Sequence, residues 1–299
     1  MTADGTGAPV RLGYVGLGNI GAPMAGRLAA WPGGLTVFDL DAEAVASLVE
    51  QGATAATDLA ALAGAADVIG ICVVNDDQVR TVIDGLLPAA ATGTIITVHS
   101  TISPETAADL AAAGADCGVT VLDAPISGGA AGAQQGRLAI MVGGPRAAYE
   151  QIKEPFSLAG DMLVHAGDQV GAGTRMKLAR NLLHFISFTA TTEAARLAEA
   201  AGIDLAKLGR VVRHTDAITG GAGAIMLRES TAPIDPDDFW HDIFTHVRGL
   251  GEKDLGLALA LGGELGVDLP LAELALRDLA AGLGVPHRNQ QPDNHGGEA

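Results

Sequence analysis

Near the start of the chain, Gly16-Leu17-Gly18-Asn19-Ile20-Gly21 sets glycines at the spacing G-x-G-x-x-G. The motif follows an apolar run, Arg11–Val15, and opens a helical pattern, so it sits where a strand turns into a helix. Gly16 permits the tight turn, Gly18 lets a pyrophosphate approach the backbone, and Gly21 allows helix and strand to pack closely. The helix start adds N–H groups and partial positive charge, which suit phosphate oxygens. Asp39 falls 18 residues after Gly21, at the end of the second apolar run. A carboxylate there accepts from ribose hydroxyls and repels a 2′-phosphate. From Leu28 to Val79 there is no Lys or Arg to hold such a phosphate. This is the pattern of a dinucleotide site that favours NAD over NADP.

Two further clusters carry chemistry. Asp123-Ala-Pro-Ile-Ser127-Gly128-Gly129 ends an apolar run and turns sharply, and its two glycines can expose N–H groups beside a hydroxyl, an anion-binding arrangement. An ordinary glycine-rich turn would read the same way. Gly171-Ala-Gly173-Thr-Arg-Met-Lys177-Leu-Ala-Arg-Asn181 opens a long helical stretch and puts Lys177 and Asn181 four apart, on one face. Most helical lysines are solvated. This chain, however, has only Lys153, Lys177, Lys207 and Lys253 against fourteen arginines, so each lysine is the more notable. Arg175 and Arg180 flank Lys177; solvation accounts for such a pair more readily than a second substrate anion does.

Positioning these groups requires strands and crossover helices. Apolar runs at Arg11–Val15, Leu35–Phe38, Val68–Val73, Thr94–Val98, Val119–Leu122, Leu138–Val142 and Met162–His165 alternate with helical stretches such as Asp41–Gln51 and Pro104–Ala113, the pattern of a parallel sheet. Beyond His165 the pattern is helical: Gly171–Ala201, Asp204–Thr215, Val247–Leu265 and Pro270–Leu283. The expected organisation is a disordered N-terminus (1–9), a dinucleotide-binding domain (10–166), an all-helical domain (167–285) that begins with the long helix, and a disordered tail (286–299).

Charge narrows the function classes. The chain has 299 residues, 18 Lys+Arg against 35 Asp+Glu, and a net charge of −17. Neither half offers the basic face that a nucleic-acid partner requires. The longest stretch without Asp, Glu, Lys or Arg, Gly85 to Pro104, contains Pro88 and Gly93 and reads as a turn plus a strand, not a membrane span. Cys72 and Cys117 form no disulfide framework or zinc spacing and are expected as buried small hydrophobes in strands of a cytoplasmic protein. His241 and His246 have no convergent third ligand, so no metal is expected.

Taken together, these motifs resemble the β-hydroxyacid dehydrogenase family, which includes 3-hydroxyisobutyrate dehydrogenases and belongs with 6-phosphogluconate dehydrogenase. The resemblance spans about residues 10–284 and is carried by G-L-G-N-I-G at 16–21, S-T-I-S-P at 100–104, D-A-P-I-S-G-G at 123–129, G-x-G-x-x-x-K-x-x-x-N at 171–181 and K-D-L at 253–255. It implies an α/β Rossmann-type N-terminal domain joined by a long helix to an all-α C-terminal domain, in homodimers or homotetramers. It also implies Lys177 as catalytic acid/base with Asn181 beside it, and Ser127, Gly128 and Gly129 on the substrate carboxylate. Thr101 would lie at the nicotinamide, Val73 and Val74 along the cofactor, and Lys253 would close the site. The reaction implied is hydride transfer between NAD and a small 3-hydroxy acid or its semialdehyde. Alternatives are an imine or semialdehyde reductase of the same fold, or a non-catalytic NAD-binding module. The chain departs from the family pattern at Val98 (commonly Asp), Arg180 (commonly Asn), Val74 (often Pro) and by one extra residue in Gly167–Gly171.

Overall fold

The computed structural model describes residues 8–287; apart from residues 8, 9, 286 and 287, the segments expected to be disordered lie outside that range. The chain divides into two compact units, Met1–Asn181 and Leu182–Ala299. The first contains β1 (Leu12–Val15), α1 (Gly21–Leu28), β2 (Leu35–Phe38), α2 (Ala42–Glu50), β3 (Thr54–Ala55), α3 (Leu59–Ala65), β4 (Val68–Ile71), α4 (Asp76–Leu86), β5 (Ile95–Val98) and α5 (Pro104–Asp116). It continues with β6 (Thr120–Asp123), β7 (Ile126–Ser127), α6 (Gly129–Gln135), β8 (Ala139–Gly143), α7 (Arg146–Phe156), β9 (Met162–Gly167) and the start of α8 (Ala172–Ala200).

The strands form one sheet in the order β3-β2-β1-β4-β5-β6-β8-β7, with β9 paired to β8. Strands β1 to β6 run parallel. Every residue of β1, β4 and β5 is buried, as expected of central strands covered by helices on both faces. One face packs Tyr14, Met24, Val37 and Phe156, and the other packs Ile69, Ile71, Ile83 and Leu110. The side chains of Asp41, Asp58, Asn75 and Ser103 accept backbone N–H groups at the starts of α2 to α5. Each such cap contributes on the order of 1 kcal/mol. At α1 the cap position is Ile20, which offers no side-chain acceptor.

In the second unit, α8 continues from Leu182, followed by α9 (Leu205–Thr219), α10 (Phe239–Leu265) and α11 (Pro270–Leu283). Helices α10 and α11 pack on each other, with Phe244, Leu283 and Val285 in a small core. Buried Glu193 of α8 accepts from the N–H groups of Leu271 and Ala272 at the start of α11. No described helix is long and apolar enough to cross a membrane.

Several expectations need correction. The sheet is not wholly parallel, because β8 runs antiparallel to β6 and β7. Only Ala124 and Pro125 separate β6 from β7, and the short helix α6 then turns the chain back, whereas apolar periodicity carries no strand direction. The two-residue strands β3 and β7 left no periodic signal. Helix α10 begins at Phe239 instead of Val247, with the Asp238 carboxylate accepting from Trp240 N–H. Cys117 is exposed at the C-terminal cap of α5, and Cys72 is half-buried just beyond β4.

Candidate active site

The strand order reverses at β1, where β2 lies on one side and β4 on the other. Ligands of open α/β sheets bind at such a switch point, beyond the carboxyl ends of the strands. A cleft of about 390 Å³ opens there, lined by Gly16, Gly18, Phe38, Asp39, Val73 and Val74 among others, with no Lys or Arg in the lining.

Each glycine of the loop has different surroundings. Gly16 has φ +92°, and a Cβ there would stand 2.2 Å from the carbonyl oxygen of Cys72. A Cβ on Gly21 would meet the Gly16 carbonyl at 2.0 Å, so that position must stay bare for α1 to approach β1. Gly18 faces open space. Asp39 is tied to the loop: its Oδ2 accepts from Leu17 N–H at 2.5 Å and its Oδ1 from Asp41 N–H at 2.8 Å. Leu17 is buried, while Asn19 is exposed and Ile20 half-buried. An extended cleft without cations, a bare backbone at Gly18, an uncapped helix start and a carboxylate at the rim together fit a dinucleotide.

Hydrogen bonds then run from this loop toward the lysine helix. Val73 N–H donates to Ser100 Oγ at 2.9 Å, and the same hydroxyl donates back to the Val73 carbonyl at 2.8 Å. This pairing fixes the turn that carries exposed Thr101. Next to it, fully buried His99 donates from Nδ1 to the Ala124 carbonyl at 2.9 Å. Burial holds the imidazole pKa down, at about 4, so the ring is neutral and acts as a fixed strut. Ala124 belongs to the segment that leads into Ser127, Gly128 (φ +133°) and Gly129 (φ +63°). The preceding residue, Asp123, is 1% exposed, and its two oxygens accept from Gly171 N–H and Thr174 N–H, each at 2.6 Å. These are the opening amides of α8. Bare glycines make the approach possible: a Cβ on Gly173 would lie 2.1 Å from the Met141 carbonyl, and one on Gly143 would lie 2.3 Å from Asp123 Oδ1.

Lys177 lies one turn beyond Thr174 and is 8% exposed. Burial pushes its pKa below the ordinary lysine value, and the nearby Arg180 guanidinium lowers it further. Among the described residues it has no carboxylate partner. Asn181 is half-buried and accepts at Oδ1 from Arg180 Nη1 at 3.3 Å.

The cleft thus gathers Gly16, Gly18, Asp39, Val73 and Val74, but Thr101, Ser127, Gly128, Gly129, Lys177 and Asn181 are not among its lining residues. The bonds of Ser100 to Val73, His99 to Ala124, and Asp123 to Gly171 and Thr174 instead hold the neighbouring segments of the chain in place. Lys253 lies in the second unit, exposed on α10, with Nζ 3.0 Å from Asp254. Sequence reasoning missed His99 and gave Asp123 no role. No group of three or more potential metal ligands occurs among the described residues.

Two family models match this chain. That described as the NAD binding domain of 6-phosphogluconate dehydrogenase covers residues 11–167, and that described as NAD-binding of NADP-dependent 3-hydroxyisobutyrate dehydrogenase covers residues 171–290. An uncharacterized oxidoreductase of Mycobacterium tuberculosis is 59% identical over 285 residues, 94% of this chain and 96% of that protein. The 3-hydroxyisobutyrate dehydrogenase of Pseudomonas aeruginosa is 37% identical over 270 residues, 88% of this chain and 89% of that one. A crystal structure from Mycobacterium avium, described only as an oxidoreductase, superposes with a TM-score of 0.90 at 56% identity, covering 93% of this chain and 100% of that one.

Proposed function

This chain belongs to the β-hydroxyacid dehydrogenase family, and we propose that it transfers hydride between NAD and a small 3-hydroxy acid, or the matching semialdehyde, with Lys177 as general acid/base. The observation that carries this reading is a buried lysine of lowered pKa on a helix whose first amides are bonded to the end of a dinucleotide-fold strand. Bound nicotinamide supplies the two-electron acceptor or donor. The chain supplies position and proton transfer. In oxidation, neutral Lys177 Nζ takes the hydroxyl proton as the carbonyl forms; in reduction, its ammonium returns that proton to the alkoxide oxygen. Asn181 orients the hydroxyl, Ser127 and the N–H groups of Gly128 and Gly129 hold the carboxylate, and Thr101 lies at the nicotinamide. The family resemblance also assigns Lys253 to the substrate and cofactor.

The test is NADH formation with 3-hydroxyisobutyrate, 3-hydroxypropionate, glycerate, serine and a hydroxy-dicarboxylic acid. Turnover of at least one is expected. Silence across all of them, with NAD binding demonstrated, would replace this reading with a non-catalytic binding module.

Two further outcomes follow. First, oxidation needs the neutral amine, so its rate should rise with pH through the Lys177 titration, and reduction should fall through the same one. Because burial and Arg180 lower that pKa, the midpoint should lie below 10.5, the ordinary lysine value. Profiles of kcat/KM in both directions check this, and a midpoint at or above 10.5 would contradict it. Second, Asp39 favours NAD by accepting from the ribose and repelling a 2′-phosphate. Asp39→Asn should raise KM for NAD about tenfold, roughly what a charge-assisted hydrogen bond contributes, while NADP turnover increases. An unchanged NAD/NADP ratio would remove Asp39 from cofactor choice.

The protein acts as a homodimer or homotetramer in this reading. The second unit leaves the large apolar side chains Phe185, Phe188, Ile218, Met226 and Leu257 exposed, and a second chain would bury some of them. Light scattering should give two or four chain masses.

A further inference from the structure

His99 follows β5 directly and is 2% exposed. Its ring lies between that of Tyr14 in β1, stacked on it at 6.0 Å, and that of Phe156 in α7, which meets it edge-on at 4.9 Å. An apolar side chain between those rings would carry no desolvation cost, whereas an imidazole loses its hydration there and recovers it only through hydrogen bonds. His99 makes two. Nδ1 is 2.9 Å from the Ala124 carbonyl, and Nε2 is 3.1 Å from the Thr97 hydroxyl. A carbonyl oxygen can only accept, so the neutral ring carries its hydrogen on Nδ1 and leaves Nε2 to accept. The bond to Ala124 therefore fixes the tautomer.

That bond joins two segments with different duties. The β5–β6 ladder ends with Val98 beside Asp123 and the Ala124 N–H on the Val98 carbonyl. Past this point one segment runs on to Ser100 and exposed Thr101, the other to Ser127 and the exposed Gly128 and Gly129. The first is held to the cofactor cleft, because Ser100 Oγ both accepts from and donates to Val73. The second is held to β8, through Met141 N–H on the Pro125 carbonyl and the pairing of Ser127 with Ala139. Among the described residues, the His99–Ala124 bond is the side-chain hydrogen bond that ties the turn after β5 to the segment after β6.

We infer that His99 is a positioning residue for hydride transfer: by bonding the Ala124 carbonyl it sets the carboxylate-holding turn of Ser127–Gly129 against the nicotinamide-side turn of Ser100 and Thr101. The inference rests on the proposed roles of those two turns. Hydride transfer is steep in donor–acceptor geometry, and a misplacement of about 1 Å can cost on the order of 10²-fold. A tie between the turn that holds the substrate and the turn that borders the cofactor acts on that geometry directly.

Three variants of the full chain test this. His99→Asn places an amide nitrogen where Nδ1 stood and keeps the donor to Ala124. His99→Gln places it nearer Nε2, and His99→Leu fills the space between the rings without any donor. Single-turnover hydride transfer is measured with saturating NAD and 3-hydroxyisobutyrate, or whichever of the other four acids is turned over. His99→Leu and His99→Gln should slow this step about tenfold or more, with NAD affinity within about twofold of the wild type, because His99 does not line the cleft. His99→Asn should stay within about threefold of the wild type, although its smaller side chain leaves a cavity and lowers Tm. Rates that follow the donor while Tm follows the packing support positioning. Rates that follow Tm, or a wild-type rate in His99→Leu and His99→Gln, overturn it. If no acid is turned over, the dehydrogenase reading is what has failed, and amide hydrogen exchange of the NAD-bound protein then decides. Exchange within residues 124–129 should quicken about tenfold or more in His99→Leu and His99→Gln and stay near wild type in His99→Asn. Equal exchange in all four proteins would show that β8 holds the segment without His99 and would overturn the inference.

Discussion

Lys177→Ala is expected to lower kcat by about 10²–10⁴-fold while leaving NAD affinity within about twofold. The range is what a positioned acid/base typically contributes when proton transfer accompanies bond change. NAD affinity should survive because the cleft is built from Gly16, Gly18, Asp39, Val73 and Val74, without the lysine. The variant should also not melt below the wild type. A buried cation without a carboxylate partner costs desolvation energy in the folded state, so its removal is neutral or stabilising. Unchanged or higher Tm beside collapsed turnover would separate chemistry from structure. Wild-type kcat in Lys177→Ala would exclude the lysine as the proton carrier, and a lower Tm would point to a structural role.

Asp123→Ala should cost about 2–6 kcal/mol of stability in the first unit, because it leaves two buried backbone N–H groups unsatisfied at roughly 1–3 kcal/mol each. Asp123→Asn keeps one acceptor but turns an NH2 group toward the other amide, so about half that loss is expected. In both variants kcat should fall by at least tenfold below the melting temperature. The start of α8 is fixed by these two bonds and Lys177 follows one turn later, where a misplacement of about 1 Å can cost on the order of 10²-fold. Calorimetry gives the stability term, and single-turnover hydride transfer gives the chemical one. Asp123→Asn with wild-type values for both would mean that the tight packing of Gly143 and Gly173 holds the helix unaided.

The dinucleotide loop was legible in the sequence because its requirements are local. Gly16, Gly18 and Gly21 lie within six residues, and the carboxylate that reaches the loop, Asp39, is 22 residues from Leu17. The β–α alternation and the long helix α8 were legible for a similar reason, since apolar runs and the spacing of Gly and Pro report burial and termination. Strand direction at β8, the two-residue strands and the start of α10 were not. Pairing partners of β8 lie at Asp123 and in β7, and no residue-type pattern encodes which way a buried strand runs.

At the site the division is the same. Glycine spacing and the acid after β2 determined by themselves that a dinucleotide could be held, because backbone shape and one charge suffice for that. Lys177 was visible as a residue, but its burial and lowered pKa arise only when the chain closes around it. Asp123 stood inside a motif read for its serine and glycines; its partners are 48 and 51 residues away. His99 bonds a carbonyl 25 residues on. Local spacing fixes what a residue type can do, whereas desolvation and hydrogen-bond satisfaction are set by residues distant in sequence, and only the tertiary structure brings those together.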